Sequence, residues 1–222
     1  MVSPERLESM QKGWVRVLET YRVAPADAYP VFDVLVAAYT APERHYHNLE
    51  HLNEMFKVVE RLAGTVEDPN VLHLAIWFHD AVYDARAKDN ERRSGELAVD
   101  LLGPIGVPAS AIDRIVRMIW ATAHTADAPA GRDTQVLLDA DLAILGASEE
   151  RYARYAADIR KEYDWVPDAD YRAGRSAVLN RFLSAPRIYS TSIMFEEGEQ
   201  RARSNLRGEL AQLQSMRGTQ AT

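Results

Sequence analysis

Asp68-Pro69-Asn70-Val71-Leu72-His73-Leu74-Ala75-Ile76-Trp77-Phe78-His79-Asp80 carries the clearest structural signal in the chain. Asp68 can accept an orphan N–H at a helix start, and Pro69 loses nothing by lacking an N–H in the first turn. Val71, Leu72, Ala75, Ile76 and Phe78 follow at helical intervals and are expected to be buried. The run ends on a polar doublet, His79-Asp80, in the last turns. The same grammar extends in both directions. Upstream, Ser3-Pro4 opens a helix to about Tyr21, and Ala28 to Tyr39 forms another with Pro30 in its first turn. Asn48 caps a third, with Leu49, Leu52, Phe56 and Val59 inward. Downstream come Asn90 to Leu102, stopped by Gly103-Pro104, and Pro108 to Ala123, with Ile112, Ile115, Val116 and Ile119 inward. Asp133 to Leu145 ends at Gly146, and Ser148 to Tyr163, Asp170 to Leu183 and Ser192 to about Leu213 complete the series. Strand signals are weak, and no Asn-Gly or Asp-Gly turn separates alternating runs. The expectation is an all-α, single-domain bundle of eight to ten helices over residues 1–222. Ser215 to Thr222 should fray.

Composition narrows the chemistry. The 222 residues suffice for one large domain with a substantial core. A net charge of −7 argues against sequence-independent binding to a nucleic-acid polymer, though a local basic pocket for one small phosphate stays compatible with it. The chain has no cysteine, which excludes disulfides, thiolate zinc sites, iron–sulfur clusters and a cysteine nucleophile. That absence fits a reducing cytoplasm. Met1-Val2-Ser3-Pro4-Glu5-Arg6 leads into an amphipathic segment and not into a signal peptide. Charges break the apolar runs before about 18 residues, so no membrane span is expected. The predicted location is cytoplasmic.

Three groups of histidine and aspartate punctuate these helices: Tyr46-His47-Asn48-Leu49-Glu50-His51, then His79-Asp80, then Asp139-Ala140-Asp141. His47 and His51 are four apart, so in or near a helix their side chains would share one face, with about 5–6 Å between Cβ atoms. Adjacent residues diverge by roughly 100° on a helix, so His79 and Asp80 reach one ion together only at a helix edge or distortion. Mixed imidazole and carboxylate ligation suits a divalent ion, with Mn, Fe, Co, Ni, Zn and Mg all open. Each residue also has a plainer reading. His45 reads as surface, His73 as helix filler, and His124 as a charge near a helix C-terminus or a substrate contact. Asn90 and Glu91 start a helix, Arg44 is a solvated charge, and Trp14, Trp77 and Trp120 belong to the core. Arg175, Arg181 and Tyr189 could reach the site from the C-terminal helices.

The pattern Tyr-His-Asn-x-x-His, Phe-His-Asp-x-Val-Tyr-Asp, Asn-Glu-x-x-Ser and Asp-x-Asp-Leu-x-Ile-Leu-Gly resembles the HD-domain superfamily. It is similar to its bacterial predicted metal-dependent phosphohydrolases. The likeness runs from about Trp14 to Leu210, and Tyr46 to His51 is also similar to the cyclic-nucleotide phosphodiesterases of that superfamily. The resemblance implies an HD-type helical bundle, with the metal-site core at about 44–146 and C-terminal helices at about 148–213. It implies His51, His79, Asp80 and Asp141 as metal ligands and His47 as the general acid. Asp141, followed by leucine, fits better than Asp139, which is left as a partner behind the ligands. Only His124 lies between the doublet and the last aspartate, so the resemblance implies one metal.

The chemistry expected of such a set is metal-dependent hydrolysis of a small phosphate ester or nucleotide. A divalent ion lowers the pKa of water from 15.7 toward about 7 and neutralises phosphoryl charge. His47 could protonate the leaving oxygen, Asp84 or Glu91 could orient the water, and Arg44 and His124 could contact the substrate. A homo-oligomer is compatible with the sequence. Two other functions compete: a metal or nucleotide sensor of the same fold without turnover, and an inverse zincin protease. In the protease reading His47-Asn48-Leu49-Glu50-His51 would supply two zinc ligands and Glu50 the base. His47 separates the two enzymes, being a ligand in one and a catalytic acid in the other.

Overall fold

The computed structural model describes residues 2–124 and 131–215; of the tail expected to fray, Ser215 ends the last helix and the rest lies outside the described residues. Among the described residues there are ten α-helices, two 3-10 turns and no strand, as the periodicity predicts. The chain falls into two compact units, Met1–Ala140 and Asp141–Thr222.

The first unit contains α1 (Pro4–Thr20), α2 (Pro25–Tyr39), α3 (Leu49–Arg61), α4 (Pro69–Phe78), α5 (Asn90–Leu102) and α6 (Ala109–Ala121). It also holds all of α7 (Arg132–Asp141) but the last residue. The organising element is α4. Asp68 accepts the N–H groups of Asn70 and Val71 through its side chain, and seven of the ten helical residues are buried. A helix apolar on all sides is a central one, and α4 packs against α1, α3, α5 and α6. The rings of Trp14 and Phe32 meet Trp77 edge-on at 5.9 and 5.3 Å, and the Trp14 indole donates to the Ala28 carbonyl. A ring buried this fully contributes roughly 1.5–3 kcal/mol. At the other end of the unit, the Asp133 carboxylate accepts the N–H groups of Glu67 and Asp68. Arg114 bridges Asp68 and Asp133. The start of α7 is thereby fixed to the start of α4.

Three sequence expectations change here. The second helix begins a turn early, at Pro25, so Pro30 lies inside it and not in its first turn. Its cap residue, Ala24, makes no side-chain bond; proline at the first position, with its φ already helical, starts the helix unaided. Trp120 is not core but 50 % exposed. Its indole leans on α5 at Gly95, where a Cβ would lie 2.8 Å from Nε1. The helix expected to run from Asp133 to Leu145 stops at Asp141 and continues as a 3-10 turn, Leu142–Gly146.

That 3-10 turn opens the second unit, followed by α8 (Glu149–Glu162), α9 (Asp168–Ser184) and α10 (Ser192–Ser215). Gly146 and Gly198 are obligatory there. A Cβ on either would lie within 3 Å of the Tyr189 side chain, whose hydroxyl donates to the Leu142 carbonyl. Arg175 pairs through two nitrogens with Glu209, which also accepts from Tyr152. Arg175 and Tyr189, read as residues able to reach the metal site, are thus engaged within this unit. Arg181 lies over its neighbour Phe182. Among the described residues no helix is long and apolar enough to cross a membrane.

Candidate metal centre

The first imidazole is placed by a helix start. Asn48 accepts the Glu50 N–H and donates its amide to the His45 carbonyl, folding the preceding loop onto α3. His51, buried at 2 % exposure, then sits in the first turn of α3. The second imidazole is placed by a helix end. His79 caps α4, still bonded through its N–H to Ala75, and is 1 % exposed. Their Nε2 atoms stand 3.3 Å apart. Asp141, the last residue of α7, completes a group in which one ligand atom from each of His51, His79 and Asp141 lies within 4.8 Å of the others.

Hydrogen bonding shows why this group suits a cation. His79 Nδ1 lies 2.9 Å from the Ile76 carbonyl. A carbonyl only accepts, so Nδ1 carries the proton, and in the neutral ring Nε2 presents a lone pair. That lone pair faces an Asp80 carboxylate oxygen at 3.2 Å as well as His51. Converging acceptors in a buried place are costly unless a proton or a cation lies between them. The donors are nitrogen and oxygen, a set suited to a borderline or hard divalent ion. The residues fit such an ion.

Asp80 follows the C-cap of α4, outside regular helix, which is the edge position that lets a His-Asp doublet converge. Its carboxylate reaches His79, and lies 4.0 Å from His47 Nε2. It stands beside the group of three and is not a member of it. Asp139 is fully buried on α7 and also outside the group.

His47 is not among the gathered ligands. Its ring centroid is 6.0 Å from that of His51, and it stacks on Tyr83 at 4.2 Å and 30°. Glu50, the base of the protease reading, pairs with Arg6. Arg44 is not a solvated charge. It is buried, and its guanidinium donates to the carbonyls of His47, Asp80 and Ala81 at 3.2, 2.6 and 2.9 Å. Those three bonds tie the His47 loop to the His79-Asp80 turn.

Asp84 is exposed, and its carboxylate accepts the Arg86 N–H in a local turn. Glu91 lies in the first turn of α5, where a carboxylate suits the helix dipole. Neither belongs to the His51–His79–Asp141 group. His124 closes the segment after α6 with φ +50°, its N–H on the Ala121 carbonyl. His45 is exposed, as expected. His73 is more than filler: Nε2 accepts the Trp77 indole N–H, the ring lies against Phe56, and burial lowers its pKa to about 4.

Sequence reading assigned no role to Tyr39, Tyr83 or Ser94. Tyr39 accepts the Asp80 N–H on its hydroxyl, and Ser94 exchanges hydrogen bonds with the Val82 backbone. Tyr83 and Ser94 stand inside the quoted Phe-His-Asp-x-Val-Tyr-Asp and Asn-Glu-x-x-Ser patterns, which is the signal that could have exposed them. No protein-family model, curated protein or solved structure matches the chain.

Proposed function

We propose that this chain is a metal-dependent phosphohydrolase of the HD type, acting in the cytoplasm on a small phosphate ester, nucleotides included. The observation that carries the reading is the meeting of the His51 and His79 Nε2 atoms, 3.3 Å apart, with Asp141 in the same group. His51, His79 and Asp141 would hold one divalent ion, with the Asp80 carboxylate beside them. When bound, the ion supplies charge neutralisation at the phosphoryl oxygens and a lowered pKa for water. His47, outside the ligand group, is the proton donor. In hydrolysis the water oxygen bonds to phosphorus and the ester P–O bond breaks. The leaving oxygen takes its proton from the His47 imidazolium, which is restored by the proton that water gives up. An Asp80 carboxylate oxygen lies 4.0 Å from His47 Nε2.

The protease reading needs His47 and His51 as joint ligands and Glu50 free; among the described residues the gathered group is His51, His79 and Asp141, and Glu50 pairs with Arg6, which favours the phosphohydrolase reading. Elemental analysis of the purified protein should give about one divalent ion per chain. Screened with several metals against phosphomonoesters, phosphodiesters, nucleotides and cyclic dinucleotides, the protein should show turnover that chelation abolishes and one metal restores. Stoichiometric ion without turnover on any ester would replace the enzyme with a sensor. Absence of ion after growth and reconstitution with each metal would remove both.

A further inference from the structure

The Asn-Glu-x-x-Ser pattern at the start of α5 has no part in ligation, yet its side chains bond to the turn that follows His79. Ser94 Oγ accepts the Val82 N–H and donates to the Val82 carbonyl. Asn90 accepts the Asp84 N–H on Oδ1 and donates from Nδ2 to the Asp84 carbonyl. On the other side, Arg44 bonds the carbonyls of Asp80 and Ala81, and Tyr39 receives the Asp80 N–H. The backbone is therefore pinned by side chains immediately before and after Tyr83. Such pinning costs side-chain entropy at four residues. What the turn presents is one aromatic face, and on it lies His47, 4.2 Å away and 30° from parallel. The Tyr46 ring meets the same imidazole edge-on at 5.1 Å.

We infer that Tyr83 is a positioning residue whose ring, held by Asn90, Ser94 and Arg44, sets the plane and reach of the His47 imidazole. The inference rests on the phosphohydrolase reading for its kinetic consequence, but not for the placement itself. A ring stacked on the imidazole restricts its rotation about the Cβ–Cγ bond. A proton donor turned away from the leaving oxygen loses its rate advantage, because transfer needs hydrogen-bond geometry at about 2.6–3.2 Å.

The test compares Tyr83→Leu, Tyr83→Phe and His47→Ala, each loaded with the metal that supports turnover. On an alkyl phosphate ester Tyr83→Leu should lose kcat by about 10- to 100-fold, approaching His47→Ala, with KM nearly unchanged. On a nitrophenyl ester, whose leaving group departs without a proton, the loss should be much smaller. Tyr83→Phe keeps the ring and should restore wild-type values on both. Bound metal should be the same in all. Independently of turnover, the imidazole C–H resonances of His47 should carry an upfield ring-current shift in the wild type and Tyr83→Phe, lost in Tyr83→Leu. Equal losses on both esters, or failure of Phe to restore, would overturn the positioning role. A His47 resonance indifferent to the ring at position 83 would overturn the placement. If the wild type cleaves no ester, the phosphohydrolase reading falls while the resonances still decide whether Tyr83 holds His47.

Discussion

At the scale of single residues, the division of labour between two aspartates is the sharpest outcome. Asp139 and Asp141 are two positions apart on α7, and helical geometry turns them about 200° from each other. Asp139 is wholly buried, while Asp141 sits with His51 and His79. Asp141→Asn keeps the shape of the side chain but removes the charge that a cation requires. The variant should retain well under one equivalent of metal after dialysis, and Asp139→Asn should stay loaded. Metal content measured on the two purified variants checks this, and the reverse pattern would exchange their roles. Arg44 shows the opposite economy. A buried guanidinium that bonds three carbonyls organises two loops.

At the scale of the helix, α4 carries a titration of its own through His73. The ring is kept neutral by burial, with its pKa lowered from 6.5 to about 4. Above pH 6.5 it is neutral folded and unfolded, and stability is at its full value. Between about 6.5 and 4 the unfolded chain takes up a proton that the folded one refuses, so stability falls with pH and levels off below about 4. At 1.36 kcal/mol per pKa unit, the loss approaches about 3 kcal/mol. His73→Gln preserves an acceptor for the Trp77 indole and abolishes the titration. Urea unfolding at pH 7 and pH 4.5 should show the wild type losing about 2–3 kcal/mol more than the variant over that interval. Equal losses would mean that the ring is not held neutral. Helices of this kind were legible because their starts are written locally: Ser3, Asn48, Asp68 and Ser148 each cap with their own side chains. The start of α2 was not, since no polar residue marks it. The His51–His79 pairing was implied by the family resemblance, whereas residue types alone left His47 an equal candidate. The stacking of His47 on Tyr83 and the Arg44 strap join positions more than thirty residues apart, and no periodicity within a helix encodes such a contact.

At the scale of the whole molecule, an ion ligated from the ends of α3, α4 and α7 couples binding to folding. An ion held only by the folded chain adds RT ln(1 + [L]/Kd), about 2.7 kcal/mol at 100 times Kd. For a chain of this length that corresponds to roughly 5–10 °C in Tm. Thermal melts before chelation, after removal of the ion and after its return should trace that shift in both directions. A Tm unchanged once elemental analysis shows the ion gone would argue against ligation between helices.

The four tryptophans are unequally distributed, and this gives the chain an optical asymmetry. Trp14 and Trp77 are sealed in the first unit, Trp120 lies half open on the same unit, and Trp165 is 44 % exposed on the second. Indoles away from water emit to the blue, and those in contact with it emit to the red and are reached by iodide. Blue emission therefore belongs to the first unit alone. Melting of the second unit by itself would leave it intact, so fluorescence and circular dichroism would part company if the two units unfold at different temperatures.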